Sequence, residues 1–249
     1  MSIKTTLNYS PNFNSKKRKF KQIKFIVFHY TGMKKESEAI SRLTNIQSQV
    51  SCHYLIKKNG EIIAMVPETY IAWHAGKSSW RNCKSLNKNS IGIEITNPGH
   101  EFKYKKFTEK QINTLLKLSR YLIKKYNINL KNILGHSDIA PERKKDPGEN
   151  FPWQYLSQNE VGLWHTIKKQ ELIKNRKIKA TKINKDIFIN NLFKIGYQKK
   201  KPKTLSKNKY LDYIIKAFQR RYRQDLIDGK IDQECLIISQ NLRKKFSQF

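Results

Sequence analysis

Short apolar runs in the first 165 residues predict the strands of a buried sheet. Residues 23–28 (IKFIVF) and 90–96 (SIGIEIT) are nearly continuous apolar runs, and residues 130–134 form a shorter one. Runs rich in β-branched and aromatic residues are typical of strands covered on both faces. Residues 51–66 hold two more runs joined at Asn59-Gly60, a dipeptide typical of tight hairpin turns. We therefore predict strands in all of these segments.

Two other segments show the three- and four-residue spacing of amphipathic helices. Residues 33–48 have this spacing, and residues 108–126 keep it over the longest stretch. Thr108 and Gln111 also form the capping-box pattern at the start of the second segment. Strands that alternate with helices predict an α/β fold, in which helices flank a mixed central sheet.

The pattern changes after Trp164. Residues 168–182 are polar, lysine-rich and poor in large apolar residues, so we predict a linker there between a domain at 1–167 and another at 183–249. Within 183–249, apolar residues at helical spacing predict three amphipathic helices, with a turn at Asp228-Gly229 between the last two. We expect a small all-α three-helix domain, of a size that is marginally stable alone.

The chain is strongly basic, with 51 Lys and Arg against 19 Asp and Glu and a formal net charge of +32. Such a charge favours polyanionic partners. The surplus is mostly lysine spread along the whole chain, and no aromatic stacking motif or recognition helix accompanies it. We therefore expect no specific nucleic-acid binding. The positive charge would equally favour binding to an anionic cell-wall polymer.

The cysteines and the apolar runs of the chain indicate the cellular compartment in which the protein is expected. Cys52, Cys83 and Cys235 are widely separated and never form a C-x-x-C pair, which favours reduced thiols over a disulfide framework. The first twenty residues show no apolar run of signal-peptide length, and no run is long enough to cross a membrane. We expect a cytoplasmic protein with no transmembrane segment.

Residues 135–148 (GHSDIAPERKKDPG) combine candidate metal ligands with turn-forming prolines. His136 and Asp146 are residue types that bind zinc, and the prolines favour a shaped loop over a helix. Catalytic zinc usually takes three protein ligands, and His29, at the mouth of the first strand, is the third candidate. The open fourth position would hold water, whose pKa zinc lowers towards 7, as hydrolysis of an unactivated amide requires.

Two further residues are candidates for the chemistry beside that metal. Lys144 lies two residues before Asp146, so in an extended segment both side chains face the same way and the ammonium group can stabilise an oxyanion. Glu94 lies inside an apolar strand, where burial raises the pKa of a carboxyl group into a range useful for proton transfer.

Five motifs, in order, resemble those of zinc-dependent N-acetylmuramoyl-L-alanine amidases related to peptidoglycan recognition proteins. They span roughly residues 20–165 and are FIVFHYTG (25–32), SCHYLIKKNGEI (51–62), AWHAGKSSW (72–80), LNKNSIGIEI (86–95), and GHSDIAPERKKDPG with FPW (151–153). The resemblance implies an amidase-like sheet with His29, His136 and Asp146 as zinc ligands. It also implies Glu94 as acid/base and Lys144 as transition-state stabiliser.

The resemblance further implies a substrate and a partner. The family's reaction cleaves the amide between the lactyl group of N-acetylmuramic acid and L-alanine, in peptidoglycan or in muropeptides. The loop from Trp73 to Trp80 is similar to the family's groove segment, so Trp73, His74 and Ala75 are candidate substrate contacts, and Asn97 is another because it follows the strand of Glu94. The distal helices resemble a peptidoglycan-binding domain, which makes periplasmic or outer-membrane association the alternative location. We expect a monomer.

Each of these residues also has an ordinary structural interpretation. A single histidine after a strand is commonly a structural residue, Asp146 before Pro-Gly is a usual turn residue, and Lys144 would be a solvated charge. Glu94 could pair with a lysine on a neighbouring strand. At the level of function, the rivals are a module that recognises peptidoglycan without cleaving it and, less favoured, a basic nucleic-acid-binding protein.

Overall fold

A six-stranded mixed sheet forms the centre of the molecule. The computed structural model describes residues 3–248. The sheet has the order β1-β5-β4-β9-β3-β10. Its strands are β1 (Thr6–Leu7), β3 (Phe25–Tyr30), β4 (Tyr54–Ile56), β5 (Ile62–Ala64), β9 (Ser90–Ile95) and β10 (Ile133–Gly135). Two small antiparallel pairs lie beside it, β2 (Phe13–Asn14) with β6 (Ile71–Ala72), and β7 (Ser79–Trp80) with β8 (Cys83–Lys84).

The central strands are parallel and bring their carboxyl ends to one edge. Strand β9 pairs in parallel with both β3 and β4, and β10 pairs in parallel with β3. Strand β5 runs antiparallel to β4, which confirms the hairpin predicted at Asn59-Gly60. Gly60 has a φ of 87°, a backbone conformation that glycine adopts without strain.

Eight α-helices complete the fold within residues 3–248. They are α1 (Glu36–Thr44), α2 (Glu109–Tyr126), α3 (His136–Ile139), α4 (Trp153–Gln158), α5 (Lys169–Asn175), α6 (Lys182–Ile195), α7 (Lys207–Tyr222) and α8 (Gln233–Ser247). The predicted capping box of α2 is present, because Thr108 accepts from the amide of Gln111 and the Gln111 side chain accepts from the amide of Thr108. In this part of the chain no helix is long and apolar enough to cross a membrane.

The two faces of the sheet have separate apolar cores. One face presents Ile26 and Phe28 with the isoleucines of β9, and it packs against the apolar side of α2. The opposite face presents Phe25, Val27 and Leu134, and these residues share a core with α6, α7 and α8. The mixed sheet flanked by helices is therefore as predicted, and the last three helices cover one of its faces.

The structure changes three details of the predicted elements. His29 lies inside β3, which extends to Tyr30, and not just beyond its end. The loop predicted at 135–148 begins with one helical turn, because His136–Ile139 precede the first proline and their amides are free to bond. The predicted linker at 168–182 contains α5, and Arg176 just after it forms an ion pair with the buried carboxylate of Glu234 at 2.7 Å.

Candidate functional site

Adjacent strands place His29 and Glu94 side by side. The two residues are directly paired in the register of β3 and β9. Paired residues of neighbouring strands project from the same face, about 4.8 Å apart along the sheet. Both therefore project from the face that carries Val27, at the carboxyl edge of the parallel strands.

The short helix α3 and the loop after it bring two more side chains to this edge. Strand β10 ends at Gly135, so that His136 begins α3 next to β3. The chain then returns through Asp146, whose backbone carbonyl accepts from the amide of Ser137 at 2.8 Å. This hydrogen bond joins the two ends of the loop and holds Asp146 beside His136.

Close packing against Tyr104 fixes the end of this loop. Gly148 has a φ of 84°, and a Cβ atom there would lie 2.4 Å from the Tyr104 hydroxyl oxygen. The same hydroxyl group donates to the carbonyl of Pro147 at 2.6 Å. Glycine permits both the backbone conformation and the contact, so the Pro147-Gly148 pair fixes the turn that ends the loop.

His29, His136 and Asp146 converge on a single point. The Nδ1 atoms of the two histidines lie 3.0 Å apart, and each lies 3.0 Å from Oδ2 of Asp146. All three side chains are buried, and their candidate ligand atoms lie within 4.8 Å of one another. Sequence spacing predicted these three residues, and the structure brings them together.

The surroundings favour the charge states that a metal requires. Burial and the neighbouring His136 lower the pKa of His29 to about 4, so that its imidazole is neutral near pH 7. Burial alone would raise the pKa of Asp146, but His136 and His29 hold it well below its usual range. A neutral imidazole and an ionised carboxylate are the forms that bind a cation.

The Nε2 atoms of the two histidines face consecutive residues of the AWHAG segment. Nε2 of His29 lies 3.0 Å from Nδ1 of His74, and Nε2 of His136 lies 3.2 Å from the carbonyl oxygen of Ala75. The amides of His74 and Ala75 both donate to Oδ1 of Asn87, at 3.2 and 2.6 Å. Asn87 therefore holds the segment against the two histidines.

Glu94 carries a carboxyl oxygen with no protein partner. Its Oε2 atom is inaccessible to solvent and has no hydrogen-bond partner among residues 3–248. Burial raises the pKa of Glu94 well above its ordinary value, the nearby Asp146 raises it further, and Lys144 offsets part of the effect. The structural alternative of an ion pair with a lysine on a neighbouring strand is not observed in the described part of the chain.

A groove of about 660 Å³ runs over these residues. Lys144, Glu94, His136 and Asp146 all line it, although the amide of Lys144 donates to the carbonyl of Ala140 at 3.0 Å in a turn and is not part of an extended segment. The lining also includes the cationic side chains Arg42, Arg143 and Lys145 and the acidic side chains Glu38 and Glu101.

The predicted substrate contacts occupy different positions. Trp73 and His74 line the groove, whereas Ala75 is completely buried. Asn97 lines a separate, smaller cavity, where its amide group donates to the carbonyl of Lys105 and its Oδ1 accepts from the amide of Gly99. The geometry thus places Asn97 at a turn beyond β9 and away from the groove.

The sequence profile of the N-acetylmuramoyl-L-alanine amidases matches residues 19–149, which include every residue of this site. The chain belongs to that family. It is 36% identical over 241 residues to the N-acetylmuramoyl-L-alanine amidase AmiD of Escherichia coli, an alignment that covers 92% of this chain and 85% of AmiD.

Solved structures of amidases have the same architecture over nearly the whole chain. One is AmiD from E. coli in complex with the substrate anhydro-N-acetylmuramic acid-L-Ala-D-γ-Glu-L-Lys. It has a TM-score of 0.78 and 34% identity, and the match covers 92% of this chain and 91% of AmiD. Another is AmpDh3 from Pseudomonas aeruginosa with anhydromuramic pentapeptide, with a TM-score of 0.77 and 28% identity over 98% and 96% of the two chains.

The amidase groove also contains a residue that sequence reasoning missed. His100 lines the groove, where its Nε2 lies 3.0 Å from Glu149 and its Nδ1 lies 2.8 Å from the Tyr30 hydroxyl oxygen. His100 follows Asn97-Pro98-Gly99, and this turn signal gives no hint that the chain folds back towards the loop at Glu149.

Proposed function

We propose that this amidase hydrolyses the bond between the lactyl group of N-acetylmuramic acid and L-alanine, using zinc held by His29, His136 and Asp146. One observation carries the proposal. Three ligand atoms converge within 4.8 Å of one another beside the unpartnered, buried carboxyl oxygen of Glu94. A metal site next to a carboxyl group with a raised pKa is the combination that metal-assisted amide hydrolysis needs.

The residues present fit zinc. Two imidazole nitrogens and one carboxylate oxygen form a common three-ligand set of catalytic zinc sites, which leave one position for water or substrate. When both histidines carry their proton on Nε2, the two Nδ1 atoms and Oδ2 of Asp146 direct lone pairs towards one another at about 3.0 Å, an arrangement that suits a bound cation. Bound zinc would supply a Lewis acid that polarises the scissile carbonyl group and lowers the pKa of water.

Glu94 would transfer the proton, and Lys144 would stabilise the charge that develops in the transition state. Glu94, with its raised pKa, accepts a proton from the attacking water and returns it to the leaving amino group of L-alanine. The ammonium group of Lys144 lies in the same groove and stabilises the negative charge on the carbonyl oxygen in the transition state. The products are a lactyl carboxylate and a free stem peptide.

The groove fits an anionic muropeptide. Arg42, Arg143 and Lys145 offer cationic groups to the carboxylates of a stem peptide, and Trp73 offers an apolar surface to the sugar. Both solved complexes named above hold anhydromuramyl peptides. We therefore propose soluble anhydro-muropeptides as the preferred substrate, in turnover and recycling of the cell wall.

The chain is also proposed to contain two units and a linker. We propose an amidase unit at 1–167 and a helical unit at 183–249, joined by residues 168–182. The helical unit contributes to the core on one face of the sheet. Binding of wall polymer by its outer surface is tested by sedimentation of the purified protein with isolated sacculi.

Peptide release from a purified anhydro-muropeptide tests the reaction. We expect the wild type to release free peptide, His136→Ala to lose both zinc and activity, and Glu94→Gln to keep zinc while losing turnover. The Lys4→Met variant, near the amino terminus, is the control and should retain both. Full activity in Glu94→Gln would refute the proposed role of Glu94. Tight muropeptide binding without hydrolysis by zinc-loaded wild type would instead favour the recognition module.

A further inference from the structure

A chain of hydrogen-bonding groups runs from His29 through His74 and Ser90 to the backbone of Leu86. Nε2 of His29 lies 3.0 Å from Nδ1 of His74, and Nε2 of His74 lies 3.1 Å from Oγ of Ser90. Ser90 in turn donates to the carbonyl oxygen of Leu86 at 2.6 Å. His29, His74 and Ser90 are all buried, so water does not compete for these contacts.

The carbonyl group of Leu86 sets the direction of the whole chain. A serine hydroxyl group has one proton to donate, and a carbonyl oxygen can only accept. Because Ser90 donates to Leu86, its Oγ must accept from Nε2–H of His74. A neutral imidazole ring carries only that one proton. Nδ1 of His74 is then an acceptor, and it receives Nε2–H of His29.

We propose that His74 is a positioning residue that holds His29 as the Nε2–H tautomer and thereby directs the lone pair of its Nδ1 towards Asp146 and His136. This inference rests on the proposed function, because the lone pair matters only if a metal binds there. The opposite tautomer would direct an N–H group into the ligand cluster. Outer hydrogen bonds of this kind fix the orientation and tautomer of metal-binding histidines in general.

The position of the His74 ring is supported independently by the space left for it. It lies over Gly92 of β9, where a Cβ atom would be 2.3 Å from Cγ of His74. Asn87 accepts from the amides of both His74 and Ala75. Gly92 leaves space for the ring, and the Asn87 side chain holds the backbone of His74. Together they fix the ring next to His29.

Ala75, the next residue in the chain, makes a similar hydrogen bond to His136. The carbonyl oxygen of Ala75 accepts Nε2–H of His136 at 3.2 Å, and the same oxygen accepts from Nη2 of Arg143 at 2.5 Å. One dipeptide therefore sets the tautomers of both histidine ligands, one through a side chain and one through the backbone. This role differs from the substrate contact that the sequence predicts for His74.

The first test reads the tautomer without reference to activity. In the ¹⁵N NMR spectrum of metal-free protein, His74 should carry its proton on Nε2 and have a bare Nδ1. In zinc-loaded protein, a coupling across the hydrogen bond should join Nε2 of His29 to Nδ1 of His74. A proton on Nδ1 of His74 in both states would overturn the proposal. A wild type that binds no zinc but shows the expected His74 tautomer would count against the proposed function alone.

Zinc affinity in three variants tests the consequence. His74→Phe keeps an aromatic ring but removes the acceptor, and it should weaken zinc binding about 10- to 100-fold. His74→Gln should recover most of that loss, because its carbonyl oxygen can accept from His29 while its amino group donates to Ser90. Ser90→Ala makes a smaller change in the core and should weaken zinc binding by a lesser factor.

His165 provides the matched control. It is a buried histidine that packs against Trp164, outside the hydrogen-bond chain. His165→Phe should therefore leave zinc affinity unchanged. Equal zinc affinity in wild type, His74→Phe and Ser90→Ala would overturn the proposal, and so would a His74→Gln variant no better than His74→Phe.

Discussion

The ion pair between Arg221 and Asp138 links the last helices to the loop at residues 135–148. Arg221 of α7 is 2% exposed and Asp138 of α3 is 1% exposed. Nη1 of Arg221 lies 2.5 Å from Oδ2 of Asp138, and Nη2 donates to the carbonyl of Ile133 at 2.8 Å. The Asp138 carboxylate also accepts from the Tyr197 hydroxyl group and from the amide of Gly135, both at 2.8 Å. The pair therefore supports α3, the helix that begins with His136.

We expect Arg221→Met to destabilise the protein by about 3–5 kcal/mol, because removal of one partner leaves a charge buried without compensation. The double variant Arg221→Met/Asp138→Asn should recover at least half of that loss, since the remaining amide is neutral and can still bond Gly135 and Tyr197. The assay is equilibrium unfolding in urea of the metal-free proteins, with the free energy of unfolding extrapolated to water.

Lys216 on the same helix provides the control. It pairs with Asp212 at 2.8 Å, but both side chains are exposed to solvent. Lys216→Met should change the free energy of unfolding by less than about 0.5 kcal/mol. The reasoning is refuted if Arg221→Met costs no more than this control, or if the double variant is as unstable as Arg221→Met.

Three further predictions concern the site. Glu94→Gln should stabilise metal-free protein increasingly above about pH 4.3. Above that pH the unfolded chain ionises Glu94 while the folded protein, in which its pKa is raised, keeps the proton, so the free energy of unfolding of the wild type falls by up to about 1.4 kcal/mol per pH unit. Thermal melts at pH 4 and pH 8 check this, and an equal gain at both would contradict it. Lys144→Met should lower kcat about 100- to 1,000-fold with unchanged zinc content, whereas Lys145→Met should mainly raise KM. Removal of zinc by a chelator should lower the melting temperature, and a melting temperature independent of added zinc would exclude binding to the folded state.

The central strands and the residues of the candidate metal site could be picked out from the sequence because each lies in a recognisable local motif. Continuous apolar runs indicated β3 and β9, and the capping-box pattern indicated the start of α2. The motifs around His29, His136 and Asp146 carried their own order and spacing. Each motif was recognisable from residues close together in the chain, although His29 and His136 are 107 residues apart.

Contacts between distant segments could not be predicted. Helical spacing gives α6, α7 and α8 an apolar side, but it does not say that this side packs against Phe25 and Val27 of β3. The link between His74 and His29 likewise depends on the small size of Gly92 in a different strand. A glycine in the middle of SIGIEI was a usable signal, because glycine inside a strand often marks a close approach by another group.

At the groove, a local preference separates the candidate substrate contacts. Trp73 and His74 line the groove, whereas Asn97 turns into a local network with Gly99 and Lys105. An asparagine before Pro-Gly is typical of a turn that bonds its own backbone. This local preference decides the orientation of Asn97, although the residue follows the strand that carries Glu94.

Titration of metal-free protein with zinc, followed by the rate of peptide release from an anhydro-muropeptide, tests the central claim most directly. We predict a rate that rises in proportion to bound zinc and reaches its plateau at one zinc per chain. His29→Ala, His136→Ala and Asp146→Ala should each remove that rise. Peptide release at the full rate without zinc, or a zinc-saturated wild type that releases no peptide, would contradict the account.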